Sequence, residues 1–198
     1  GHNVHLWMRD KEAAKEINQN KCNKKYVPNL NLGPNLTASS QIGDISESET
    51  IIFCVPSDAF REVSKLSTEF IKENSYLVTA TKGVEKEGFS LMSNILEEHY
   101  PKNPIGILSG PNLAEEIALH HLSGTVIASK NKLLRDSLVK DLSTNFFKVY
   151  ESEDPYGVEM GGALKNIYAI ACGIADGLDS GENTVGMIMT RGLGEMGR

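Results

Sequence analysis

The feature that most constrains this chain is an alternation. From Asn3 to Tyr150, short apolar runs rich in β-branched residues take turns with segments of helical periodicity. Asn3–Trp7 reads as a strand, and Asp10 is placed to cap a helix carrying Ala13, Ala14 and Ile17 on one face. A loop marked by Pro28 and Pro34 follows. Thr50–Val55 is a buried-strand run that Pro56-Ser57 ends, and Phe60, Val63, Leu66 and Phe70 then fall at helical spacing. Strands are predicted at Tyr76–Thr81, Ile105–Ser109, Gly124–Ser129 and Phe146–Tyr150, and helices at Ser90–Tyr100 and Leu133–Leu142, with a short helix after Gly110-Pro111. Such alternation predicts a parallel sheet covered on both faces. From Pro155 the pattern changes to helices only, over Pro155–Ala175 and from Asn183 onward.

The fold class expected is therefore α/β: a Rossmann-like parallel sheet over residues 1–153, followed by the start of an all-helical domain over 154–198. The chain opens on Gly1 rather than Met and stops at Arg198 inside a helical pattern. It is expected to be a piece of a longer protein, without the sheet's first strand and inactive by itself.

Composition excludes some functions. Of the 198 residues 40% are hydrophobic and 23% charged, an ordinary globular balance, and the net charge of −6 shows no basic patch for nucleic acid. Apolar runs are as short as Ile51–Val55, so no stretch could span a bilayer. Cys22, Cys54 and Cys172 are odd in number and lack a CxxC spacing, which favours free thiols in a reducing cytoplasm.

In open α/β sheets, ligands bind beyond the carboxyl ends of the strands. Four loops of small or turn-forming residues fall there: Met8-Arg9-Asp10, Val55-Pro56-Ser57, Thr81-Lys82-Gly83 and Ser109-Gly110-Pro111. The only GxGxxG match, Gly192–Gly197, follows no strand and lies on a helical pattern, so it is not a dinucleotide loop. Any such loop is expected ahead of Gly1. At the end of the second Rossmann strand, an acidic residue binds the ribose of NAD and an arginine accepts the 2′-phosphate of NADP. Arg9 and Asp10 are adjacent here, so the two residues point to different cofactors, and Asp10 reads equally well as a helix cap.

Gly157–Asn166 (GVEMGGALKN) is the most informative segment. On a helix, Lys165 shares a stripe with Val158, Gly161, Gly162, Ala169 and Cys172, all apolar or small. Lys165 is therefore expected to be buried or to face a cavity. Each helical glycine costs roughly 1 kcal/mol relative to alanine. The Gly161-Gly162 pair thus implies close approach to the backbone. Burial disfavours the charged form of a lysine and brings its amine toward the range useful for general acid–base work.

Val-Pro-Ser at 55–57, Ala-Thr-Lys-Gly at 80–83, Leu-Ser-Gly-Pro at 108–111, the segment 157–166 and Thr-Arg-Gly-Leu-Gly-Glu-Met at 190–196 occur in this order. Together with Leu6–Asp10 they resemble the bacterial-type NAD(P)-dependent glycerol-3-phosphate dehydrogenase family along the whole chain. The resemblance implies an oxidoreductase that interconverts dihydroxyacetone phosphate and sn-glycerol 3-phosphate with NAD(P)H, feeding phospholipid synthesis, as a cytoplasmic homodimer. It implies that Lys165 is the acid–base lysine, with Asn166 beside it, and that Lys82 touches both cofactor and substrate. Gly110 and Asn112 would line the substrate site, Ala114 the cofactor, and Arg9 would lie near the adenosine ribose. Position 112 is often Ser or Thr in that family. The family's glycine-rich loop would precede this chain, and its substrate-binding aspartate and Arg-Asn pair would follow it. Two alternatives remain at this stage. One is a dehydrogenase of the 6-phosphogluconate dehydrogenase-like group, whose lysine and asparagine are spaced apart rather than adjacent. The other is a non-catalytic binding protein that keeps a partial Rossmann scaffold.

Overall fold

The computed structural model describes residues 2–198. The first strand, β1 (Val4–Trp7), leads into α1 (Lys11–Asn20). Asp10 caps that helix, its carboxylate accepting the N–H groups of Glu12 and Ala13 at 3.0 Å each. Beyond the loop containing Pro28 and Pro34 lies a strand absent from the sequence reading, β2 (Leu36–Ser39), which pairs in parallel with β1, Val4 opposite Leu36. Its four residues bury only Ala38, so the apolar alternation that would announce it is missing.

A 3₁₀ turn at Ile42–Ile45 precedes β3 (Thr50–Phe53). There follow α2 (Ser57–Leu66), β4 (Tyr76–Thr79), α3 (Met92–His99), β5 (Ile105–Ser109), α4 (Ala114–Ala118), β6 (Ser123–Ala128), α5 (Lys132–Leu142) and β7 (Phe147–Ser152). Two helices finish the chain, α6 (Pro155–Gly177) and α7 (Glu182–Met196). The Gly192–Gly197 motif falls on and just past α7, and a side chain at Gly192 would begin 2.4 Å from the Tyr168 ring. That glycine serves α6–α7 packing.

The strands form two sheets, β1-β2 and β3-β4-β5-β6-β7. The second departs from the all-parallel expectation: β5 and β6 pair antiparallel, with Ile107 opposite Ala128, whereas β3-β4-β5 and β6-β7 are parallel. The connection between them, residues 110–122, carries only the five-residue α4 in place of the longer helix usual between parallel strands.

Both faces of the larger sheet are covered. Leu77 and Val78, consecutive on β4 and both fully buried, point to opposite sides. Leu77 joins Phe53, Phe60, Met92, Ile95, Leu96 and Tyr100 under α2 and α3, while Val78 joins Ile127, Leu134 and Leu138 under α5. Burying each such side chain contributes about 1.5–3 kcal/mol. A smaller core of Ala14, Ile17 and Ala38 holds α1 against β1-β2. The architecture is mixed α/β with a mostly parallel sheet, as expected.

Arg135, 4% exposed, fixes the passage from sheet to helices. Its guanidinium donates to the Ser129 carbonyl at 2.7 Å, to Glu151 at 3.3 Å and to Glu153 at 2.7 Å. Asp154 then caps α6 by accepting the Gly157 N–H at 2.9 Å, with Pro155 in the first turn, where its missing N–H costs nothing.

Candidate active site

The loops at the carboxyl ends of β3 and β4 are joined to one another. The Thr81 hydroxyl donates to the Val55 carbonyl at 2.7 Å, and the Ala80 N–H to the Phe53 carbonyl at 2.9 Å. Gly83 has φ +128°, and a side chain there would begin 3.3 Å from the Ser57 hydroxyl. Glycine is thus required by backbone conformation as well as by space. These contacts place Lys82 on a rigid turn at the sheet edge.

Against the next loop lies α6. Ser109, Gly110 and Pro111 face the α6 turns that carry Gly157, Val158, Gly161, Gly162 and Lys165 across a cavity of about 390 Å³. The glycine pair has the structural meaning that its cost implied. A side chain at Gly162 would begin 2.6 Å from the Ser109 hydroxyl, so the helix backbone packs directly on the end of β5. Gly110 is equally constrained, because a side chain there would begin 2.7 Å from the Gly124 carbonyl oxygen and 2.8 Å from the Thr125 Cα.

Lys165 lines this cavity, one of the two placements expected of it, with its side chain exposed. The small residues of its stripe admit the end of β5. Lys82 is half-buried. Desolvation pushes the Lys82 amine below the ordinary lysine range, and the positive charge of Lys165 pushes it the same way. The two lysines therefore share one field, suited to an anion.

Asn112 holds its own loop. The Thr125 hydroxyl donates to the Ser109 carbonyl at 3.2 Å and so accepts from the Asn112 side-chain N–H at 3.1 Å. The Asn112 Oδ1 is buried without a partner among the described residues, and Asn112 does not itself line the cavity. Asn166, one residue round the helix from Lys165, is exposed and does not line the cavity. Ala114 is exposed at the start of α4, away from the cavity wall. Arg9 is exposed past the end of β1 and forms no hydrogen bond or ion pair among the described residues, whereas Asp10 is turned into its helix.

Two participants escaped the sequence reading. Thr125 sits in an apolar strand run, where a lone hydroxyl signals little. Glu159 is 4% exposed on α6 and accepts the Ser93 N–H at 3.0 Å and the Ser93 hydroxyl. Burial pushes its carboxyl up, and the Ser93 bonds oppose that. A carboxylate amid the small and apolar residues of 157–164 was the available signal.

The two lysines and the N-terminus of α2, which no side chain caps, give this edge a positive character suited to anionic groups such as those of a dinucleotide.

Comparisons with known proteins agree. The model of the NAD-dependent glycerol-3-phosphate dehydrogenase N-terminus matches residues 1–134, and that of the C-terminus matches residues 154–198. Glycerol-3-phosphate dehydrogenase (NAD(P)+) of Acinetobacter baylyi is 48% identical over 199 residues, covering 100% of this chain and 56% of the relative. The enzyme of the same name from Alcanivorax borkumensis is 42% identical, covering 100% of this chain and 58% of the relative. The chain thus spans little more than half the length of the curated relatives it matches. The crystal structure of glycerol-3-phosphate dehydrogenase from Coxiella burnetii superposes with a TM-score of 0.92 at 34% identity, covering 99% of this chain and 60% of that one. On these matches, and on a Rossmann-like edge facing a lysine-bearing helix, the chain belongs to the NAD-dependent glycerol-3-phosphate dehydrogenase family.

Proposed function

We propose that the protein carrying this sequence interconverts dihydroxyacetone phosphate and sn-glycerol 3-phosphate, in the direction that feeds phospholipid synthesis. The observation that carries the reading is the placing of Lys165 on the α6 face that meets Ser109, Gly110 and Pro111 across a cavity, close enough to Lys82 at the end of β4 for their charges to interact. Residues 1–153 would form the cofactor-binding unit and 154–198 the beginning of the substrate unit. The bound nicotinamide of NADH or NADPH supplies the hydride. Lys165 donates a proton to the carbonyl oxygen as it becomes a hydroxyl, and takes it back in the reverse direction. Lys82 attracts the anionic substrate. The free Oδ1 of Asn112 accepts from a substrate hydroxyl, and Gly110 lets the substrate approach the backbone. Asn166 stands beside Lys165 at the rim. Arg9 and Ala114 serve the cofactor.

Three free cysteines fit a cytoplasmic protein, and no helix among the described residues is long and apolar enough to cross a membrane. A homodimer is the assembly expected of the whole protein. The test is NADH- and NADPH-dependent reduction of dihydroxyacetone phosphate by the whole protein. Lys165→Ala is expected to lower kcat about 10²–10⁴-fold. Near-normal turnover of that variant at neutral pH would refute the reading.

A further inference from the structure

Two contacts seat the first half of α6. One is Gly162 on Ser109. The other lies about a turn earlier on the same side of the helix, where Glu159 reaches the first turn of α3. Its carboxylate takes both the backbone N–H of Ser93, at 3.0 Å, and the hydroxyl of the same residue. A helix N-terminus carries partial positive charge and unpaired N–H groups, so a carboxylate there is held in position as well as bound. Glu159 is the one charged residue buried on α6, in company with Gly162 and Ala175. It precedes Lys165 by six residues, about 9 Å along the axis, and lies about 120° from it around the helix. A carboxylate clamped to a neighbouring helix therefore fixes both the rotation and the height of α6, and with them the direction of the lysine.

We infer that Glu159 is a positioning residue: its bond to the α3 N-terminus at Ser93 sets the orientation of α6 and thereby aims Lys165 at the substrate carbonyl. The inference rests on the reading of Lys165 as the acid–base group. Glu159 touches neither ligand and takes no proton in the reaction.

The experiment is a double-mutant comparison in the whole protein: wild type, Glu159→Ala, Lys165→Ala and the double variant. A misplacement of the order of 1 Å costs roughly 10²-fold in rate, so Glu159→Ala is expected to lower kcat by about that factor while the KM for NADH stays put. In the Lys165→Ala background the same change is expected to leave the residual rate unaltered, because no lysine remains to be aimed. Loss of folded protein would instead lower both backgrounds by one factor, and that result would overturn the inference. So would a Glu159→Ala enzyme with normal kcat. If Lys165→Ala itself keeps full rate, the inference falls together with the reading beneath it, and the cause is visible from the single variant. Should Glu159→Ala not fold, Ser93→Ala and Glu159→Gln take its place. Ser93→Ala removes one bond and is expected to cost about tenfold, only where Lys165 is present. Glu159→Gln keeps length and an acceptor, and is expected to restore most of the rate. Equal effects of Ser93→Ala with and without Lys165 would count against the inference.

Discussion

The Ser109 hydroxyl lies 2.6 Å from the point where a side chain on Gly162 would begin. Its neighbour Gly161 has nothing within 4 Å of the corresponding point. Two adjacent helical glycines are thus expected to respond oppositely to alanine. Gly161→Ala is expected to raise stability by up to about 1 kcal/mol through helix propensity. Gly162→Ala must rotate Ser109 or push α6 off β5, so it is expected to lose that gain and to cost roughly 1–3 kcal/mol. Thermal melts of the two variants side by side check the sign. Gly110→Ala meets backbone atoms rather than a movable hydroxyl, and is expected to melt lowest of the three.

Lys82 should show itself in binding. It is half-buried on a turn fixed by Thr81, beside a second lysine. Loss of a charged hydrogen-bonding partner costs about 1.5–3 kcal/mol, so Lys82→Ala is expected to raise the KM for dihydroxyacetone phosphate roughly 10–100-fold. Steady-state kinetics at saturating NADH measures it, and an unchanged KM would remove Lys82 from the substrate site.

Cofactor choice turns on Arg9, because Asp10 has its carboxylate committed to the Glu12 and Ala13 N–H groups. Both cofactors are expected to work. Arg9→Ala is expected to lower kcat/KM for NADPH more than for NADH, by about tenfold in the ratio, the worth of one ionic contact near 1.4 kcal/mol. An unaltered ratio would show that Arg9 does not read the ribose.

On the α2–α3 face, Arg61 bridges two carboxylates, donating to Glu85 at 2.9 Å through Nη2 and also to Glu98. Bonding to Arg61 first, and its charge second, hold Glu85 and Glu98 below the ordinary glutamate value of 4.5. Depressed carboxylates stabilise the fold above that value, and the contribution disappears as pH falls through their lower folded values. Arg61→Gln is therefore expected to melt below wild type at neutral pH and to converge with it as pH falls well below 4.5. The comparison is best begun above pH 7, because His99 beside them is held below its usual 6.5 by burial and by Arg61. The gap is expected to be small, since these groups face solvent. Melting curves that stay parallel down to acid pH would contradict it.

Sequence made the alternation, the change at Pro155 and the lysine-bearing helix legible, because each rests on local periodicity and punctuation. It did not reveal β2, whose four residues bury one alanine. Nor did it reveal the direction of β6. The longer helix usual between parallel strands is missing before it, and α4 looked only like a short helix. The stripe around Lys165 correctly signalled close packing, but the partner was the end of β5, and the desolvated lysine was Lys82. Which lysine loses water depends on what the loops of other strands bring near, and no local pattern encodes that.

The reversal at β6 also explains where Lys165 falls in the chain. Because β7 runs parallel to β6, it delivers the backbone to the edge of the sheet remote from Ser109, where Pro155 and Tyr156 flank a groove beside Ile105. A helix starting there must travel the full height of the sheet before it can offer a side chain to the opposite rim. From Pro155 to Lys165 that journey is about 15 Å of helix, set against about 13 Å of extended chain from Ile105 to Ser109. The tenth step of α6 is thus a length matched to a five-residue strand. The helix acts as a ruler, and the interval between its proline and its lysine records the length of the strand it runs beside.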